Sequence, residues 1–182
     1  MLDLPNARRS PNVLPSALVR LLPDASRYVL RGGPQVMTAA GQALGLSISE
    51  LACRSAQCDT RAALWMGPDE QLLLAPPAQG VVIGRLLGEA LAGTPHSVVD
   101  VSHRQIALEV GGAQAQTALS IGCPLDLEVT GFPVGMCTRT LLGKADIVLW
   151  RTAADQFRLE VWRSFADYTS RFLAEAAREL AC

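Results

Sequence analysis

The 182-residue sequence predicts an α+β domain in which helices pack on antiparallel β-sheets. Two observations lead to this prediction. Short segments that alternate apolar and polar residues are joined by tight-turn sequences, as in hairpins, and longer segments with helical periodicity interrupt them. The predicted order is β-α-β-β-β-α followed by β-β-α-β-β-β-α, which is compatible with two similar halves. Because strands and helices do not alternate strictly, a doubly wound parallel sheet is not expected.

The chain divides into an arm and a single domain. Residues 1–26 are rich in proline, arginine, asparagine and serine, and they predict an irregular N-terminal arm with one short apolar turn at "ALVRLL". Residues 27–182 are long enough for one domain with a core of its own. We therefore expect a single α+β domain after the arm.

The first half of the domain predicts three or four strands and two helices. "RYVLRGG" alternates as a strand, and Gly33-Pro34 opens a helix that Gly45 ends. "LACRSAQC" is a further candidate strand. Two apolar runs flank the turn sequence at 67–70, which predicts a hairpin. Residues 79–92 predict a helix stopped by glycine. Three of its apolar residues are expected to face inward: Val82, Leu86 and Leu91.

The second half is more regular. "HSVVDVS" and "RQIALEVGG" predict a pair of strands, of which the second is half-buried. Residues 112–121 predict a short helix ended by Gly122. "TRTLLGKADIVLW" predicts a hairpin with a type II′ turn at Gly143-Lys144, and "QFRLEVW" predicts the last strand. A final helix is capped by Ser164. Its expected apolar stripe consists of Phe165, Tyr168, Phe172, Ala176 and Leu180.

The composition argues against several classes of function. A formal net charge of −1 offers no electrostatic basis for binding nucleic acid or an anionic membrane. No apolar run approaches the roughly 18 residues of a membrane span. Charged residues make up 18% of the chain, fewer than a lone soluble domain usually carries. Either a partner covers part of the surface, or the core is larger than usual.

The cysteines are odd in number and irregularly spaced, without a C-x-x-C motif. They are Cys53, Cys58, Cys123, Cys137 and Cys182. This pattern does not suit a disulfide framework and indicates a reducing cytoplasm. Cys53 and Cys58 with His96 and His103 are a conceivable zinc set. Their spacing lacks a second matched pair, so buried free thiols are the preferred interpretation and no metal ligand is assigned.

The stretch "DVSHRQ" brings together the three side-chain types of a serine hydrolase triad. If residues 97–102 form a strand, Asp100 and Ser102 share one face and His103 begins on the other. Neighbours on a strand cannot form the hydrogen-bonded chain of a triad. We therefore interpret Asp100 and Ser102 as turn-capping residues. Phosphate-loop and nucleophile-elbow motifs are absent, so no catalytic or cofactor-binding residue is assigned.

Arginine and tryptophan recur together at predicted strand ends. The residues concerned are Arg104, Arg139, Arg151 and Arg163, with Trp65, Trp150 and Trp162. Both residue types are enriched at protein–protein interfaces. Trp150 and Trp162 lie opposite the apolar alternation of their strands, where either a partner or another part of this chain covers them. The candidate partner interface consists of Arg139, Trp162 and Arg163.

Five blocks resemble, in order, the gamma subunit of heterotetrameric sarcosine oxidase. They are "LWMGPDEQLLLAP", "HSVVDVSHRQIALEV", "GCPLDL", "FPVGMCTRTLLGKADIVLWR" and "FRLEVWRSFADYTSRFLAEAARE". The resemblance runs from about Arg27 to about Glu179 and departs at Gln71, where the family often has Trp. It implies a fold like the first domain of the glycine-cleavage aminomethyltransferase. It also implies a structural, non-catalytic subunit docked chiefly on the alpha subunit, in a complex with beta and delta subunits.

The resemblance further implies what the complex does. Such a complex oxidatively demethylates sarcosine to glycine in the cytoplasm. Its FAD, FMN, NAD and tetrahydrofolate are expected on other subunits, and none on this chain. Three other interpretations stay open. In the first, the chain is an equivalent subunit of a related N-methyl amino acid oxidase or dehydrogenase. In the second it is a stand-alone folate-binding module, and in the third it is a module that binds another small molecule.

Overall fold

Two five-stranded antiparallel sheets carry helices on their outer faces in the computed structural model, which describes residues 18–49 and 51–180. The α+β prediction is confirmed. In chain order the strands and α-helices are β1 (Val19–Leu21), β2 (Ser26–Arg31), α1 (Pro34–Leu44), β3 (Ser55–Cys58), β4 (Arg61–Gly67), β5 (Glu70–Ala75), α2 (Gly80–Ala90), β6 (Ser97–Asp100), β7 (Gln105–Gly111), α3 (Ala115–Ser120), β8 (Cys137–Leu142), β9 (Ala145–Ala153), β10 (Gln156–Trp162) and α4 (Ala166–Leu180).

The two sheets pack face to face, so the fold has four layers. Sheet I has the strand order β3-β4-β5-β2-β6, and sheet II has the order β1-β7-β10-β9-β8. Helices α1 and α2 pack on the outer face of sheet I, and α3 and α4 pack on the outer face of sheet II. The inner faces share a third apolar cluster, which consists of Ala62, Leu64, Met66, Leu72, Leu74, Cys137, Val148 and Trp150. Trp150 is therefore covered by this chain's own opposite sheet.

Turn residues define the predicted hairpins and the first helix as expected. β4 and β5 pair across the turn before Glu70, and β8 and β9 pair across Gly143-Lys144. Gly143 has a φ of +59° and is followed by a residue without a positive φ, as a type II′ turn requires. Gly45 ends α1 with a φ of +69°, a left-handed conformation in which glycine has no Cβ to clash. These local predictions are confirmed.

The predicted pairing of "HSVVDVS" with "RQIALEVGG" is wrong. The two segments form β6 and β7, but β6 pairs with β2 in sheet I, whereas β7 pairs with β1 and β10 in sheet II. The chain therefore crosses between the sheets through residues 101–104. The prediction that β7 is half-buried is also wrong. Gln105 and Ala107, on its second face, are buried because that face belongs to the space between the sheets.

Part of the predicted irregular arm is a strand. Residues 1–17 lie outside the described residues, but Val19–Leu21 forms β1 at the edge of sheet II. Val19 is buried in the core under that sheet, and Arg20 makes an ion pair of 2.7 Å with Glu109 on β7. Residues 19–21 of "ALVRLL" thus pair with β7, and three residues suffice for an edge strand.

Two helices are rotated about their axes relative to the predicted apolar stripes. In α2 the buried residues are Ile83 and Leu87, and Val82 is exposed. Of the other two predicted inward residues, Leu86 packs partly buried against the core and Leu91 is buried. In α4 the predicted stripe is wrong at Phe165 and Tyr168, which are exposed. The residues of α4 that are buried are Ala166, Thr169, Ser170, Leu173 and Ala176. All of these except Leu173 have small side chains, which allow the helix to lie close to sheet II and leave the larger aromatic rings at its margin.

The orientation of α4 predicts unequal effects of two neighbouring truncations. Leu173 is fully buried, whereas Phe172 is only partly buried against the core of sheet II. We expect Leu173→Ala to lower the free energy of unfolding by about 2–5 kcal/mol, and Phe172→Ala to lower it by less. Urea denaturation of the two variants and the unchanged chain measures both losses. A larger loss for Phe172→Ala would contradict the observed orientation of the helix.

Candidate functional site

A groove of about 550 Å³ opens between the two sheets at one end of their shared core. Its apolar floor comes from both sheets and consists of Val29, Met66, Leu72 and Val148. Charged and polar side chains surround this floor: Glu70, Arg104, Gln105, Arg139 and Asp146. A concave, mostly apolar site with a few convergent polar groups is the usual form of a binding site in a protein. It is therefore the candidate functional site.

The wall of the groove on sheet II is the last row of that sheet's inner face. Leu141 lies opposite Asp146 in the pairing of β8 with β9, and Trp162 lies opposite Gln105 in the pairing of β10 with β7. The pairing of β9 with β10, continued by one residue, places Asp146 beside Trp162. Leu141 is 44% exposed and Trp162 is 49% exposed. Sheet I covers the rows nearer the centre and leaves Leu141, Asp146 and Trp162 of this row exposed, whereas Gln105 is buried.

Three polar side chains of the groove have incomplete polar interactions within the described part of the chain: Arg104, Gln105 and Asp146. The Arg104 guanidinium carbon lies 5.4 Å from the centroid of the Trp162 ring, a cation–π contact. Within residues 18–49 and 51–180, neither Arg104 nor Asp146 makes a side-chain ion pair. Gln105 is 4% exposed, and its Oε1 is buried without a hydrogen-bond donor. A donor from outside the chain would remove the cost of that unpaired acceptor.

Of the three residues predicted for a partner interface, two line the groove. Arg139 makes an ion pair with Glu70 of sheet I and donates to the Met66 carbonyl at 3.4 Å, so it also links the sheets. Trp162 forms part of the wall. Arg163 follows Trp162 directly and donates from Nε to the His103 carbonyl at 3.3 Å, outside the groove lining. The surface that these residues share is the end of the sheet–sheet interface.

Sequence reasoning missed several groove residues and included one arginine that lies elsewhere. Gln105, Leu141 and Asp146 line the groove but were not predicted as interface residues. Of the three, only Asp146 stood out in the sequence, because its charge interrupts the apolar run of β9. Arg151 is 3% exposed and is not a surface residue. Its Nη1 donates to the carbonyls of Leu127 and Phe132 at 3.0 and 2.9 Å. The side chain fastens the segment before β8 to the end of β9.

The side chains of "DVSHRQ" are engaged in a turn. Asp100 Oδ1 accepts hydrogen bonds from the Ser102 backbone N–H at 2.9 Å and from Ser102 Oγ at 2.5 Å. Ser102 Oγ in turn accepts the Arg27 backbone N–H at 2.9 Å. The hydrogen bond from Ser102 is the main reason that the pKa of Asp100 is lowered, with a smaller contribution from His103. Because the serine hydroxyl donates to Asp100, the arrangement is the capped turn that the sequence predicts.

The described cysteines are free thiols at different depths. Cys123 and Cys137 are buried, Cys53 is intermediate and Cys58 is exposed. Burial raises the pKa of Cys137 from its ordinary value of 9.0 to about 12. Across residues 18–49 and 51–180, no three His, Cys, Asp or Glu side chains are grouped to hold a metal ion. The conceivable zinc set of cysteines and histidines is therefore not assembled in that part of the chain.

The thiols predict a selective labelling pattern. At pH 8 we expect a disulfide reagent to modify Cys58 rapidly and Cys137 only after unfolding, because the buried Cys137 stays protonated. Its folded pKa is raised, so its contribution to stability is complete below about pH 9 and is lost as the pH rises through about 12. Mass spectrometry of the labelled peptides measures both rates. Equal labelling of Cys58 and Cys137 in the folded chain would contradict this burial.

Comparison with known proteins identifies the family. The model of the sarcosine oxidase gamma subunit family matches residues 31–179. The gamma subunit of sarcosine oxidase from an Arthrobacter species is 32% identical over 163 residues, which are 90% of this chain and 75% of that protein. The chain belongs to the sarcosine oxidase gamma subunit family. The resemblance noted in the sequence is thereby confirmed.

Solved structures agree with this family assignment. Heterotetrameric sarcosine oxidase from Corynebacterium sp. U-96, in complex with pyrrole 2-carboxylate, contains a chain that is 30% identical with a TM-score of 0.83. The match covers 90% of this gamma-family chain and 85% of that chain. Glycine cleavage system aminomethyltransferase T from Bartonella henselae matches with a TM-score of 0.59 at 13% identity, over 87% of this chain and 44% of that chain. At that identity the likeness shows the fold, and it confirms the predicted aminomethyltransferase-like architecture.

Among the described residues, no helix combines the length and the apolar character that crossing a bilayer requires.

Proposed function

We propose that this chain is the structural gamma subunit of a heterotetrameric sarcosine oxidase, which oxidatively demethylates sarcosine to glycine. The likeness to a chain of the Corynebacterium heterotetramer over 90% of the present chain is the observation that carries the proposal. In this role the chain binds other subunits and supplies no side chain to the oxidation. The beta and delta subunits belong to the same complex, and the alpha subunit is the chief partner. We place the complex in the cytoplasm, as the unpaired thiols suggest.

The conformation of "DVSHRQ" supports a non-catalytic role. Asp100 and Ser102 cap a turn and hold the backbone of Arg27. The hydroxyl of Ser102 donates to Asp100, so its proton is engaged there and is not offered to a histidine base. Cys137, whose pKa is raised to about 12, is a poor nucleophile at neutral pH.

The strand-to-helix turn at Gly32-Gly33 has a structural explanation. A Cβ at Gly32 would lie 2.6 Å from Cβ of Val36, so packing against α1 requires glycine there. Pro34 opens α1 and has no backbone N–H to offer a phosphate. The N–H groups of Val36 and Met37 are bonded to the Gly33 carbonyl. This turn is therefore not a phosphate-binding loop. As the family resemblance implies, we propose that FAD, FMN, NAD and tetrahydrofolate are bound by other subunits of the complex.

Co-expression with the remaining oxidase subunits tests this function. We expect the chain purified alone to be colourless and the complete complex to be yellow and to oxidise sarcosine. Other N-methyl amino acids, assayed beside sarcosine, distinguish the related oxidases and dehydrogenases. A chain that binds tetrahydrofolate by itself, or that joins no complex, would overturn the proposal.

A further inference from the structure

We propose that the groove between the sheets is a socket for a short extended segment of a partner subunit. The segment places an apolar side chain on the groove floor and a carboxylate against Arg104. This inference rests on the proposed function, because it identifies the surface through which the subunit assembles and the chemistry of the segment that it binds.

The shape of the groove indicates an extended segment. The row Leu141–Asp146–Trp162–Gln105, in which Gln105 alone is buried, crosses four neighbouring strands of sheet II. Three strand spacings of about 4.8 Å make this row about 14 Å long, which equals about four extended residues. The rest of the inner face is filled by side chains of the opposite sheet. At this end, residues 18–49 and 51–180 leave the apolar floor, Leu141 and Trp162 accessible to a side chain of a partner.

The charges indicate which end of the segment is acidic. Arg104 stacks on Trp162, and Arg163 donates to a carbonyl, so two guanidinium groups at this end lack a carboxylate in the described part of the chain. A partner carboxylate there gains a charge-assisted hydrogen bond. Asp146, two strands farther along the row than Gln105, makes no ion pair within the described residues and can accept a donor from the segment. Arg139 and Glu70 neutralise each other within the groove, so the partner's carboxylate is directed to Arg104.

Gln105 provides an independent argument for an occupant. Its side chain is buried, it lines the groove, and its Oε1 has no donor. Buried acceptors in folded proteins are almost always paired. A backbone N–H of an extended segment that lies along the row would supply the missing donor near Trp162. The same segment would thus satisfy an acceptor, cover apolar surface and neutralise a cation.

Crosslinking in the complete co-expressed complex tests the socket. A photoreactive phenylalanine analogue replaces Leu141 in one variant and Val81 in the control, since Val81 is 87% exposed on α2. Mass spectrometry identifies the crosslinked residues. We expect Leu141 to capture a stretch of another subunit that carries an apolar residue next to Asp or Glu, and Val81 to capture none. Capture only within this chain, capture of a stretch without a carboxylate, or a small molecule retained in the groove would overturn the proposal.

Charge reversal provides a second test, with a matched control. We expect Arg104→Glu and Trp162→Ala each to weaken assembly by about tenfold or more, as truncation of a central interface residue does, while the thermal unfolding midpoint of the lone chain stays unchanged. Arg85→Glu, on the exposed face of α2, should assemble normally. If the unchanged chain joins no complex, the proposed function fails. If it assembles and Arg104→Glu assembles equally well, the socket alone is wrong.

Discussion

Glu160→Ala is expected to lower the free energy of unfolding by about 3–5 kcal/mol, because it breaks an ion pair buried between the sheets. Glu160 on β10 accepts Arg27 Nε of β2 at 2.6 Å, and both side chains are 1% exposed. It also accepts a hydrogen bond from Arg158 Nε at 2.8 Å. Removal of the carboxylate leaves the Arg27 guanidinium buried without a counter-ion, and its Nη2 already lacks a partner. Chemical denaturation of the lone chain measures the loss.

A paired replacement provides the control for Glu160→Ala. When Arg27→Met accompanies Glu160→Leu, both charges are gone and apolar side chains of similar volume fill the space. Such exchanges of a buried ion pair are often neutral or stabilising, so the double variant should recover most of the loss. A loss of less than about 1 kcal/mol for Glu160→Ala would mean that water reaches the pair.

Arg151→Met is expected to lower the free energy of unfolding by about 3 kcal/mol or more, since each buried polar group left unpaired costs about 1–3 kcal/mol. The guanidinium donates to the carbonyls of Leu127, Phe132 and Ala154. Its carbon also lies 4.8 Å from the centroid of the Phe157 ring. Methionine retains the apolar stem on that ring but supplies no donor. The loss therefore measures the hydrogen bonds that hold the segment before β8.

An exposed arginine in the same sheet is the comparison for Arg151. Arg20 pairs with Glu109, and its side chain is 68% exposed. Exposed ion pairs contribute about 0–1 kcal/mol, so Arg20→Met should change the unfolding midpoint little. If the two variants lose similar amounts of unfolding free energy in the same denaturation experiment, the Arg151 hydrogen bonds do not stabilise the segment before β8.

The sequence predicted those parts of the fold that depend on neighbouring residues, but not those that depend on residues far apart along the chain. Local signals were sufficient where one residue determines the backbone, as at Gly45 after α1 and Gly143 between β8 and β9. Alternation identified β6 and β7 as strands but carried no information on which sheet each joins. Their partners β2 and β10 lie far away along the chain. The predicted buried face of α4 was wrong because small residues, including Ala166, Thr169 and Ser170, face the sheet in place of the aromatic rings.

The candidate site shows the same division. Arg139 and Trp162 were predicted from their residue types, and the structure places both on the groove. Gln105 was missed because it reaches the groove only through the pairing of β7 with β10. Leu141 looked like an ordinary strand residue, since nothing local shows that sheet I ends before it. The family resemblance, carried by long ordered blocks, indicated the assembly that residue patterns alone did not.

The most direct test of this account is the native mass of the complex formed when the chain is co-expressed with its three proposed partner subunits. We predict one particle that contains all four kinds of chain, including this one. A particle that lacks this chain, with the chain itself remaining as a free monomer, would contradict the central claim that it is a structural subunit of the oxidase.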